Sequence, residues 1–286
     1  MTPLTHGGHA ASGAVLAHEA HAMSGAVWVP LLLVLLLAGG YLVAAARDAR
    51  GWDRRRSAAW LAGCALLAVA VGPLAQLPDD PRGHMAQHLL LGMLAPLGLV
   101  LGAPVTLLLR IAPPPTRRLA GRLLRARPLH LLAHPVTAAL LSTGGLALVL
   151  LTPLYAAAER QSALHHALHL HYLAAGYLFA WAVAGPDPAP GRPGLAVRLG
   201  ALLGAAAGHA ALAKYLYAHA GTLPPGLTDP DPAAFRSAAQ LMYYGGDIAE
   251  LLLAVALFAT WYHRPARLHP LSRVPSGQWR AGRGTH

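Results

Sequence analysis

Apolar positions along this chain gather into long runs instead of alternating with polar ones. The runs are Val27 to Ala46, Ser57 to Leu77, His84 to Leu109, His130 to Tyr155, Gln161 to Gly185, Leu199 to Ala213 continuing past Lys214, and Ser237 to Trp261. Apart from Lys214 in the continuation of the sixth, none contains Asp, Glu, Lys or Arg except the last, which Asp247 and Glu250 interrupt. A membrane-crossing helix needs about 20 apolar residues. The pattern therefore predicts an all-α membrane protein built as a seven-transmembrane-helix bundle. It divides the chain into a histidine-containing tail (1–26), a transmembrane domain (27–263) and a basic tail (264–286). Pro96 and the Gly102-Ala103-Pro104 break predict kinks in the third span, because proline removes a backbone donor. Small residues such as Gly39, Gly40, Ala62 and Gly63 mark the first two spans as closely packed scaffold.

Composition agrees with a membrane setting: only 12% of residues are charged, about half the share in soluble domains. The net charge of +11 would suit a nucleic-acid binder, so the placement of the charges decides. Of the 22 basic residues, 18 fall between spans one and two, between three and four, after five, or after seven. Arg82, Arg160, Lys214 and Arg236 fall on the other side. Basic loops stay cytoplasmic, which predicts an N-terminus outside and a C-terminus in the cytoplasm, and nucleic acid is not needed to explain the charge. The basic segment Pro113 to Pro128 is expected to lie along anionic lipid. No Lys or Arg precedes Val27, so the first span reads as a retained helix and not a cleaved signal. Cys64, the sole cysteine, excludes an internal disulfide and a Cys-x-x-Cys metal motif; it reads as packing.

That topology distributes the histidines unevenly. Twelve of the 17 map outside or to the outer half of spans. His84 and His88, four residues apart, share one helix face. His165, His166 and His169 share another, while His171 is turned ~200° from His169 and faces elsewhere. His209 on span six and Asp247 with Glu250 on span seven fall at similar depth. A carboxylate near mid-membrane costs about 2.5 kcal/mol or more on insertion scales, so both acids are expected to face the bundle or water. Gly245 and Gly246 would let a neighbouring helix approach Asp247. Neutral imidazole binds copper, zinc, iron and nickel, and the thioethers of Met85, Met93 and Met242 would favour Cu(I). His6, His9, His18 and His21 could capture metal loosely. His130 and His134 read as interfacial, as do Tyr243, Tyr244 and Trp261. The residues alone leave three classes open: a metal-handling assembly protein, a copper or proton-coupled transporter, and a haem-binding membrane cytochrome. No nucleophile motif, phosphate loop or cofactor fingerprint points to an enzyme.

Several motifs occur together in one order: His84-Met85-x-x-His88, Leu101-Gly102-Ala103-Pro104, His134-Pro135, Thr152-Pro153-Leu154-Tyr155, His169-Leu170-His171-Tyr172, Gly185-x-Asp187-Pro188-x-Pro190 and His209-Ala210. On these, from about His84 to His263, the chain resembles the CtaG-type (multi-span, Bacillus-like) cytochrome c oxidase assembly factors. It departs from the family pattern in the last span, where Tyr243-Tyr244-Gly245-Gly246-Asp247 precedes Glu250. The resemblance implies a non-enzymatic role in maturing haem-copper oxidase in the bacterial plasma membrane. Copper would be supplied to the catalytic subunit, with an extracytoplasmic copper chaperone as donor and His84, His88, His169 and His209 as preferred ligands. The expected route runs from His84, Met85 and His88, with His165 or His169, toward His209, Asp247 and Glu250.

Overall fold

The computed structural model describes residues 28–74, 80–189, 191–228 and 230–262. The tail histidines His6 to His21, the turn residues Pro78 and Asp79, and the basic tail from His263 onward lie outside the described residues. Helix α1 (Trp28–Ala46) is apolar on all sides and largely exposed, with Leu35 68% accessible, as befits a helix facing lipid. It is followed by α2 (Arg54–Val71), α3 (Pro81–Ile111), α4 (Pro114–Leu124), α5 (Arg127–Leu132), α6 (Pro135–Leu151), α7 (Leu154–Arg160), α8 (Ser162–Ala184), α9 (Leu195–Ala218) and α10 (Pro232–Tyr262). No strand occurs among the described residues.

Five helices, α1, α3, α8, α9 and α10, are long and apolar enough to cross a membrane among the described residues; the bent pair α6 and α7 makes a sixth if counted as one span. The chain is a membrane protein by this measure. The sequence pattern counted seven, and the difference has two causes. Helix α2 opens on Arg54, Arg55 and Arg56 and ends at Val71, short of the predicted Leu77. The predicted fourth span is broken at Thr152-Pro153, where α7 turns 77° away from α6.

Helix starts follow local chemistry. Asp53, Asp80 and Asp231 cap α2, α3 and α10, accepting from Arg55 N (2.9 Å), Arg82 N (2.9 Å) and Ala233 N (2.8 Å). Proline begins α3, α4, α6 and α10, where its missing N–H costs nothing. Helix α3 is the axis, packing against α2, α8 and α10, while α9 and α10 pair with each other. Glycine sets the closest approaches. A side chain at Gly176 would overlap the Gly92 carbonyl, and one at Gly98 would sit 2.8 Å from Gly63 N. Gly39 and Gly40 have nothing within 4 Å, so they are not packing glycines as the sequence suggested. Cys64 is buried, as expected of a packing residue.

Helix α3 is irregular beside both prolines where kinks are expected. A π-helical turn, Leu90–Leu94, precedes Pro96, and Ala103 adopts a left-handed conformation (φ 51°) before the helix restarts at Pro104. Asp187, from the turn after α8, caps that restart: it accepts from Val105 N (3.1 Å), Thr106 N (2.7 Å) and Thr106 Oγ1 (2.6 Å). Arg198 is 1% exposed and donates to the Val183 carbonyl (3.0 Å), and Arg192 donates to the carbonyls of Gly185, Trp181 and Asp187. Val183 and Gly185 lie at the C-terminal end of α8, where a helix leaves its last carbonyls without intrahelical partners; the Trp181 carbonyl also accepts from Gly185 N (3.1 Å). The motifs Leu101-Gly102-Ala103-Pro104 and Gly185-x-Asp187-Pro188 thus form one structural lock at the arginine end of the bundle.

Candidate metal centre

At the opposite end, the N-terminus of α3 brings His84 beneath α7. The bend at Pro153 is stabilised by Thr152, whose hydroxyl donates to Leu148 O (2.7 Å) and accepts from Leu154 N (3.3 Å). It folds Tyr155 and Glu159 back over the histidines. Tyr155 meets His84 edge-on at 4.7 Å, and Glu159 Oε1 lies 3.6 Å from His84 Nδ1. From α8, the His165 ring stands 6.0 Å from His84 and 4.2 Å from His169; His84 and His169 are 6.2 Å apart. One ligand atom from each of His84, Glu159 and His165 lies within 4.8 Å of the others. Donors held about 2 Å from one ion stand no more than about 4 Å apart, so small rotamer shifts would close this trio on a cation. At the rim, two hydrogen bonds and a salt bridge from Arg82 hold the Asp80 carboxyl below its ordinary pKa.

One turn further along α3, His88 marks a second, deeper tier. Its ring meets Tyr172 edge-on at 4.8 Å and stacks on His209 at 6.2 Å with 27° between planes. His209 Nδ1 in turn lies 3.8 Å from Glu250 Oε1. Gly246 makes room, since a side chain there would overlap the His209 imidazole. Thus Gly246 admits a histidine, and Gly245 faces Leu89; neither serves a helix approach to Asp247. His88, Met93, Ser142, Thr143, His209 and Glu250 line a cavity of ≈ 30 Å³, enough for one or two waters or a small ion. Both π-helical turns, Leu90–Leu94 and Leu140–Gly144, contribute to its wall. Such turns displace a helix's side chains locally and recur at functional sites.

The two tiers share a polar deficit. His84 Nε2, both ring nitrogens of His88, His169 Nε2 and His209 Nε2 are buried with no hydrogen-bond partner among the described residues. An unsatisfied buried polar atom costs about 1–3 kcal/mol. Five such atoms lie on four histidines in two tiers one turn apart along α3. A neutral imidazole carries one lone pair and one N–H, and its free lone pair can bind a soft or borderline cation.

The remaining sequence candidates are placed elsewhere. Met85 is buried in the apolar core and lines a separate ≈ 20 Å³ cavity with His84 and Tyr155. Asp247 is exposed, not turned into the bundle. His166 is exposed and bonds Ser162 O (2.6 Å), while His171 packs at Gly145 of α6, away from His169 as its rotation predicted. Sequence reasoning missed Glu159. The signal was Thr152-Pro153, a helix breaker six residues before an acid in a chain with only 11 acids.

Buried imidazole nitrogens thus gather at one end of a bundle of helices long and apolar enough to cross a membrane. Residues 37–264 match the cytochrome c oxidase caa3 assembly factor family (Caa3_CtaG), and the chain belongs to that family. Among curated proteins it is 37% identical over 188 residues to the uncharacterized protein Mb0105 of Mycobacterium bovis and to the uncharacterized protein MT0111 of Mycobacterium tuberculosis. It is 34% identical over 188 residues to the uncharacterized protein ML1998 of Mycobacterium leprae. Each match covers 62% of this chain and 28% of the relative, so the chain spans little more than a quarter of the length of the curated relatives it matches. No solved structure matches the chain significantly.

Proposed function

We propose that this chain serves oxidase assembly by capturing copper at the extracytoplasmic end of the bundle and supplying it to the catalytic subunit of a haem-copper oxidase. The reading places it in the bacterial plasma membrane with seven spans, its N-terminus outside and its C-terminus cytoplasmic. An extracytoplasmic chaperone would be the donor, and no chemical transformation is required of the chain itself. The observation that carries the reading is the file of unpartnered buried imidazole nitrogens leading from His84 to His209. Entry would be at His84, Glu159 and His165, with His169 beside them. His88, His209 and Glu250 would form a holding site one tier deeper.

Glu159 and Glu250 supply charge compensation for a cation in an apolar setting, and few strong ligands per tier favour release by ligand exchange. Met93, on the deep cavity wall, offers a thioether that favours Cu(I). A transporter is the weaker reading, because the cavity is floored by Leu97, Phe179 and Leu253 of a second apolar cluster, and the arginine lock closes the far end. The test is copper content of purified protein after Cu(I) loading, beside oxidase activity in cells carrying the same variants. Wild type is expected to retain copper, and His84→Ala with His165→Ala to lose capture and lower oxidase activity at limiting copper. Copper-free wild type, together with full oxidase activity in the double variant, would overturn it.

A further inference from the structure

Helix α10 has two faces, and the bundle uses only one. Ala239, Met242, Gly246, Glu250, Leu253 and Leu257 are buried at helical spacing, facing inward where α10 packs on α3, α8 and α9. On the other side Gln240, Tyr244, Asp247, Leu251 and Phe258 are all exposed. Their spacing of four, three, four and seven residues is the heptad rhythm by which one helix packs along another. Ile248 and Val255 widen the same stripe and are also exposed.

Asp247 is the central residue of this 31-residue helix. Among the described residues no hydrogen bond or salt bridge reaches it. Carboxylates at mid-membrane face the bundle, a water-filled cavity or a partner, and Asp247 faces neither of the first two. Its position argues for a partner and specifies that partner's chemistry. A second copy docking through the same stripe about a two-fold axis would set Asp247 against Asp247, a like-charge pairing. The complement is a different helix, apolar along its length, with one cationic or amide donor at the level of Asp247.

We propose that the outer face of α10 is the docking seam for a transmembrane helix of the client oxidase, which presents such a donor to Asp247. This rests on the oxidase-assembly reading above. Asp247 lies one turn from Glu250, so the docked helix would run beside the deep histidine tier from which copper is to be released.

The test uses the full chain in cells that assemble the oxidase, with a photo-crosslinking residue at Leu251 or, for comparison, at Leu35 on α1. The seam predicts an adduct with the oxidase catalytic subunit from Leu251 and not from Leu35, reduced at least tenfold by Asp247→Leu. Asp247→Leu should melt no lower than wild type, since it removes a charge from an exposed apolar stripe. An oxidase adduct from Leu35 alone would overturn the seam and leave the client reading standing. A Leu251 adduct between two copies, or one indifferent to Asp247→Leu, would also overturn the seam. Absence of any oxidase adduct from either position would count against both the seam and its client.

Discussion

At the scale of single residues, the deep tier depends on what is absent from Gly246. Any side chain there would occupy the volume of the His209 ring, and forcing extra carbons into a packed site costs about 1–3 kcal/mol. Gly246→Val is therefore expected to lower the thermal midpoint and the copper content together. Gly39→Val, at a glycine with open space around it, should leave both unchanged. Equal behaviour of the two variants in a melting and metal-content assay would refute the assigned role. Glu159 gives the complementary case at the mouth. Its carboxylate is the only anionic atom in the His84 and His165 trio, so Glu159→Gln should weaken Cu(I) affinity about tenfold or more in competition titration without unfolding the chain. The imidazoles were legible in sequence because i,i+4 spacing puts them on one face. Met85 was not, because it lies ~100° around the helix from His84 and packs into the apolar core. Asp247 was misplaced for a similar reason: Glu250 sits at the edge of the buried stripe of α10, and the ~60° between i and i+3 carries Asp247 onto the exposed side.

At the scale of elements, hydrophobic runs located the helices but not how they bend. Pro96 and Pro104 could be seen to disturb α3. At the π turn Gly92 meets Gly176 across α3 and α8 so closely that a side chain at Gly176 would overlap the Gly92 carbonyl, a contact no local pattern records. The bend after α6 was likewise hidden, since Pro153 interrupts an apolar run without interrupting its hydropathy, and Glu159 went unseen with it. Asp187 was visible as a motif residue and opaque in purpose. Its three accepted bonds at the restart of α3 assign it to the scaffold. Asp187→Ala would strand two backbone N–H groups and the Thr106 hydroxyl around a 2% exposed site, a loss of roughly 2–4 kcal/mol. The expected result is a lower thermal midpoint in detergent with copper per folded chain unchanged. A selective loss of copper at unchanged stability would instead move Asp187 into the metal machinery.

At the scale of the whole molecule, the separation of histidine from arginine is what gives the bundle a direction. His84, Glu159 and His165 sit at one end. The other end holds Arg110 paired with the buried Asp48 at 3.0 Å, Arg192 and Arg198 on the Trp181 and Val183 carbonyls of α8, and the amphipathic α4, whose Leu119 and Leu123 are exposed beside Arg117, Arg118 and Arg122. Sequence alone could count these arginines but not see that Arg198 is a buried structural group; its charge still opposes passage through the membrane. Positive loops are retained on the cytoplasmic side, and exposed leucines beside arginines suit a helix lying in an anionic lipid surface. Cysteine labelling can read this directly, because the sole native thiol, Cys64, is buried. In intact cells a membrane-impermeant thiol reagent should label Thr222→Cys in the turn after α9. Arg118→Cys on α4 should react only after permeabilisation. The reverse pattern would place the histidine end in the cytoplasm, where neither an extracytoplasmic donor nor the proposed route of copper into the oxidase could use it.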